Sequence, residues 1–135
     1  AGKHMEKKQS FYEAAGNGKF YEQEAPVQQD RELLKSYYPR TAGLIQAFVE
    51  DACDRLDYEG SFIYDQYPDR HTMERVCENI CGKIQESQAM QSMEKGNRGM
   101  SGASLGEITG ILFCQEMHRR RCRRKRFRSW FRDFS

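Results

Sequence analysis

The chain has 135 residues, 38% of them hydrophobic and 31% charged, with a mean hydropathy of −0.91; that suffices for one modest core and excludes two. No run approaches the roughly 18 consecutive apolar residues of a membrane span, and no apolar stretch follows Lys7 and Lys8 as in a signal peptide, so a cytoplasmic protein is expected. The net charge of +2 conceals a division: residues 118–135 carry nine Lys or Arg against Asp133 alone, while the other 117 residues hold 13 basic and 19 acidic side chains, a balance of −6.

Ala1 to Met5 reads as a remnant of expression, with Met5 a native start. Residues 1–29 are expected to be a disordered leader, because Glu6 to Gln29 is mostly polar and is broken by Gly16-Asn17-Gly18 and Pro26. Asp30 can cap a short helix from Arg31 to about Tyr37, with Leu33 and Leu34 as its apolar edge. Pro39 at a first helical position opens a second helix to about Asp57. At 100° per residue Ile45, Phe48, Val49, Ala52, Cys53 and Leu56 share one of its faces, and Glu50, Asp51, Asp54 and Asp57 lie opposite. Tyr58 to Pro68 reads as a loop whose tyrosines (Tyr58, Tyr64, Tyr67) cover the helix junction. Asp69 then caps a third helix to about Gln85, with a tight stripe of Met73, Val76, Cys77, Ile80 and Ile84. Residues 87–103 have no period and read as a flexible loop. Leu105, Ile108, Ile111 and Leu112 place a fourth helix over about 105–125, followed by a basic and aromatic tail, 126–135. The fold expected is all-α: a small bundle of three principal helices, near 39–57, 69–85 and 105–125, plus the short N-terminal helix, in one domain over 30–125. Phe48, Leu56, Met73, Val76, Ile80, Ile84, Ile108 and Leu112 are its expected core.

The run Cys53-Asp54-Arg55-Leu56-Asp57-Tyr58-Glu59-Gly60-Ser61, then Tyr64-Asp65-Gln66-Tyr67-Pro68-Asp69-Arg70, resembles a pattern in small helical bacterial proteins. Arg119-Arg120-Arg121-Cys122-Arg123-Arg124 is similar too, so the resemblance spans about Leu33 to Arg124. It implies a bacterial helical protein and carries no activity and no catalytic residue.

Neither His71 nor His118 has neighbours whose spacing implies a triad, and no catalytic residue or cofactor is expected. Cys77 and Cys81 lie one helical turn apart, as do Cys114, His118 and Cys122, so two facing helices would offer soft ligands to zinc. Thiols at that helical spacing are more often small buried hydrophobes, the five cysteines are an odd number for a disulfide framework, and no metal is expected. Eight of the ten residues from Arg119 to Arg128 are basic, and their mutual repulsion should weaken a helix unless something anionic meets them.

The functional expectation follows from that block. Arg119, Arg120, Arg121, Arg123, Arg124, Lys125, Arg126, Arg128 and Arg132 are the polyanion-binding candidates, and Phe127, Trp130 and Phe131 would stack on bases. The expected partner is nucleic acid; the alternative is an acidic protein surface, with the arm paired to Glu50, Asp51, Asp54 and Asp57 in the same chain or in a homo-oligomer. A weaker alternative is a membrane surface reached by the basic, aromatic tail.

Overall fold

A computed structural model describes residues 18–87 and 102–134. These form four helices and one short 3₁₀ turn, with no strand among them: α1 Gly18–Lys35, α2 Arg40–Leu56, the turn Phe62–Tyr64, α3 Arg70–Glu86 and α4 Gly102–Phe134.

Local chemistry sets most of the boundaries. Asp69 caps α3 by accepting from the Thr72 backbone N–H at 2.9 Å, as its position before the apolar stripe predicts. Pro39 stands one residue earlier than expected, as the N-terminal flank of α2 with ψ at 150°, and its carbonyl accepts from Gly43 N. Between α2 and α3 the chain turns at Gly60, whose φ of 87° lies in the left-handed region that side chains resist. Ser61 then accepts from Ile63 N and starts the 3₁₀ turn that buries Ile63.

One core lies where α2, α3 and α4 meet and is closed by the 3₁₀ turn. Ile45, Val49 and Cys53 of α2, Ile80 and Ile84 of α3, and Leu105, Leu112, Phe113 and Met117 of α4 are buried in it with Ile63. Phe48, Leu56, Met73, Val76 and Ile108 pack around its edge, half-buried. A second, smaller cluster joins Phe20 of α1 to Phe127 and Trp130 near the end of α4. Phe20 meets the Phe127 ring edge-on at 5.0 Å.

Two expectations are corrected here. Residues 18–29 of the expected leader are helical, so the first helix among the described residues is Gly18–Lys35 and does not wait for Asp30. Pro26 sits inside it, tolerated on an exposed face, and the side that turns inward is Phe20, Glu24, Gln28, Arg31 and Lys35. Leu33 and Leu34, the expected apolar edge, are about half exposed instead. Secondly, the last helix runs from Gly102 to Phe134, taking in the arginine block and most of the expected tail. Repulsion does not end it, because Arg119, Arg120, Arg124 and Arg126 each meet a carboxylate. Of the flexible loop expected over 87–103, residues 102–103 are helical instead, and 88–101, like 1–17 of the expected leader, lie outside the described residues.

Candidate functional site

The buried side of α4 changes character along its length. From Leu105 to Met117 it is chiefly apolar; at Glu116 and Arg120 it becomes ionic; at Phe127 and Trp130 it turns aromatic.

Glu116 is the centre of the ionic part, its side chain 1% exposed. Arg119 donates to its Oε2 at 2.6 Å, Arg120 to the same atom at 2.7 Å, and Arg31 of α1 to Oε1 at 2.5 Å. Gln46 of α2 adds a longer donation at 3.4 Å. Burial alone would push this carboxyl up, but the Arg119 hydrogen bond and the charges of Arg119 and Arg120 outweigh it and hold the group down at about 2. Arg120 is itself 6% exposed and reaches across to α2, donating to Asp54 Oδ1 at 2.7 Å and Asp57 Oδ2 at 3.0 Å. Desolvation opposes its charge, and Glu116 and Asp54 more than restore it, so the guanidinium is held more firmly protonated than usual. Beside this pair, Glu50 accepts from Lys35 at 2.5 Å, Gln46 at 2.8 Å and Arg31 at 3.2 Å. Burial works against its charge, and the Lys35 and Gln46 hydrogen bonds prevail and lower its pKa.

The rest of the arginine block divides by direction. Arg126 grips Glu24 of α1 with two hydrogen bonds, at 2.8 and 2.9 Å, chiefly for which reason that carboxyl is held low. Arg124 donates to Glu59 at 3.2 Å and lies over the Tyr64 ring at 4.5 Å, while Tyr64 donates to Asp57. Arg123 lies 6.0 Å from the Tyr21 ring centre, and Arg121 donates to the carbonyls of Ile63 and Gln66. Lys125, Arg128 and Arg132 point to solvent; among the described residues Lys125 and Arg132 form no ion pair, and Arg128 has only Glu59 at 3.8 Å.

No family model, curated protein or solved structure matches this chain. Its function therefore rests on what its side chains can do.

Of the three rings proposed to stack on bases, Phe127 is 8% exposed and Trp130 is packed against Phe20, so neither offers a free face; Phe131 is exposed, with its other side stacked on Phe127. Tyr64 is half-buried, but Tyr67, expected to help cover the helix junction, is 84% exposed. Asp54 and Asp57 of α2 do meet the arm, through Arg120, whereas Glu50 is held by α1 and Asp51 by its neighbour Arg55.

The cysteines separate as well. Cys53 is buried and its thiol pushed up to about 12 by desolvation; Cys77 is pushed up to about 11 by burial, reinforced by nearby Cys114 and Cys81. Cys122 Sγ lies 3.4 Å from His118 Nε2. Among the described residues no group of three or more His, Cys, Asp or Glu is arranged to hold a metal ion. No helix among them is long and apolar enough to cross a membrane.

Two surface features remain, and sequence reasoning singled out neither. The first is a stripe of α4 opposite Glu116 and Phe127, exposed except at half-buried Arg121, whose steps alternate between four and three residues: Glu107, Ile111, Cys114 and His118, then Arg121, Lys125, Arg128 and Arg132. Its spacing was legible, but hidden inside a block where nearly every residue is basic. The second is an open groove of about 1180 Å³ between α3 and the first half of α4. Gly82, Gly106 and Gly110 lie along it, and a methyl group at any of them would meet nothing within 4 Å.

Proposed function

We propose that this all-helical chain, a small bundle around α2, α3 and α4, is a non-enzymatic binding protein that engages a polyanion, nucleic acid first, along Arg121, Lys125, Arg128 and Arg132. The observation that carries this reading is the sorting of the arginine block. Arg119, Arg120, Arg124 and Arg126 are committed to carboxylates of the chain itself, whereas Lys125, Arg128 and Arg132 are exposed and follow one another along α4 from half-buried Arg121, which donates to backbone carbonyls and meets no carboxylate. Neighbours at such spacing stand about 5–6 Å apart, a row of donors suited to successive phosphates. The rings contribute little, so binding is by charge and tolerant of sequence.

The test is binding to a DNA or RNA oligonucleotide across a range of salt. Four phosphate contacts give a slope of log affinity against log salt of about −2.8 to −3.6, where nine would give about −6 to −8. Replacing Lys125, Arg128 and Arg132 with Gln should flatten the slope to that of about one contact. Absence of salt-dependent binding at low ionic strength, or a slope unmoved by the triple substitution, overturns the reading.

A further inference from the structure

The groove between α3 and α4 is larger than the roughly 300–1,000 Å³ that holds a small molecule, and it is open along its length, as suits a segment of polypeptide. Gly82, Gly106, Gly110 and the cysteines line it beside Met73 and Ile111, and Glu74, Glu78 and Glu107 stand along it against Arg70. Small residues and a net negative charge fit a helix that brings large cations. The basic half of α4 has that character, with Lys125, Arg128 and Arg132 exposed on one side.

That half cannot reach the groove of its own molecule, because groove and basic half lie on the same rigid helix, their centres about 27 Å apart along its axis. A second copy can. The alternation of four and three along the stripe reads the same from either end, centred between Arg119 and Arg120. Laid antiparallel on its own copy, the stripe sets Glu107 opposite Arg132, Ile111 opposite Arg128 and Cys114 opposite Lys125. Each contact is made twice about a two-fold axis. Glu74 and Glu78, on the α3 side of the groove, then flank the incoming Arg128 and Lys125. The acidic end of each copy meets the basic end of the other over about 38 Å of helix.

We infer that the α3–α4 groove is the docking site for the basic half of α4 from a second copy of this chain, giving a two-fold antiparallel dimer. This goes beyond polyanion binding and opposes it, since both use Lys125, Arg128 and Arg132.

Sedimentation equilibrium of the full chain without nucleic acid tests it. The expected result is a mass rising with concentration to twice that of the chain and no further, with association weakening as salt rises. Glu107→Arg and Arg132→Glu, each checked for native helicity, should each weaken association about tenfold or more, and the two together should restore most of it. A chain monomeric at every concentration overturns the inference and leaves a basic helix of another protein as the occupant. Growth past the dimer overturns the two-fold register, as does a dimer indifferent to both substitutions. Replacing Glu74, Glu78 and Glu107 with Gln should abolish the dimer and leave oligonucleotide binding in place, so this inference and the polyanion reading fail separately.

Discussion

The two halves of α4 solve the same packing problem with different chemistry. Its first half buries Leu105, Leu112 and Phe113 against apolar side chains of α2 and α3, an attraction that depends on area and little on direction. Its second half buries Glu116 and Arg120, whose attachment depends on hydrogen bonds reaching Arg31, Asp54 and Asp57 in two other elements. An apolar contact survives small shifts; a buried carboxylate with three guanidinium donors is held by contacts that depend on distance and direction. The first half therefore supplies stability broadly, and the second fixes where α1 and the end of α2 must sit.

Breaking the ionic half should produce the largest effect. Glu116→Gln keeps the shape but removes the charge that Arg119, Arg120 and Arg31 share, leaving a buried Arg120 short of its most buried counter-ion. A loss of about 3–5 kcal/mol in urea unfolding is expected. A loss below about 1 kcal/mol would mean that Asp54 and Asp57 suffice for Arg120.

Acid should separate the halves without mutation. The Glu116 carboxyl is lower in the folded chain, at about 2, than its ordinary value of 4.5, so its contribution is fully present above 4.5 and is lost as pH falls toward 2. Over that window the chain should lose on the order of 3 kcal/mol through this group, with Glu24 and Glu50, also held low, adding in the same direction. Repeating the titration with Glu116→Gln should show a shallower acid limb; an unchanged limb would place the acid-sensitive group elsewhere.

The smallest effect sharpens the contrast between buried and exposed charge. Arg55 and Asp51 pair one turn apart on α2, with both side chains more than half exposed. Asp51→Asn should change stability by less than about 0.5 kcal/mol. A loss comparable to that of Glu116→Gln would remove burial as the explanation of the difference.

How much of this was legible depends on whether an element's partners are local. α3 could be read directly, because its cap Asp69 and its stripe Met73, Val76, Ile80 and Ile84 lie within its own sequence, and they give the helix observed. α1 could not, because the face it buries beyond Phe20 is polar: Glu24, Arg31 and Lys35 look like solvent residues until Arg126, Glu116 and Glu50 arrive from distant parts of the chain. The arginine block was visible by composition. Which arginines are spent internally was not, since Arg120 and Arg126 find carboxylates 63 and 102 positions away.

The attachment of α1 has a consequence for local opening. Its ties run mainly through long side chains, at the Phe20–Glu24 end and again at Arg31 and Lys35, with Pro26 between them and exposed Val27, Leu33 and Leu34 outside. Its amides can therefore exchange with solvent by a release confined to this helix, at a fraction of the global free energy. Such a release takes Arg31 from Glu116 but leaves Arg119 and Arg120 in place, so the carboxylate keeps its charge compensated while the helix is away. The network is redundant in the direction in which the fold is weakest, and α1 can detach and return without the rest of the chain losing its register.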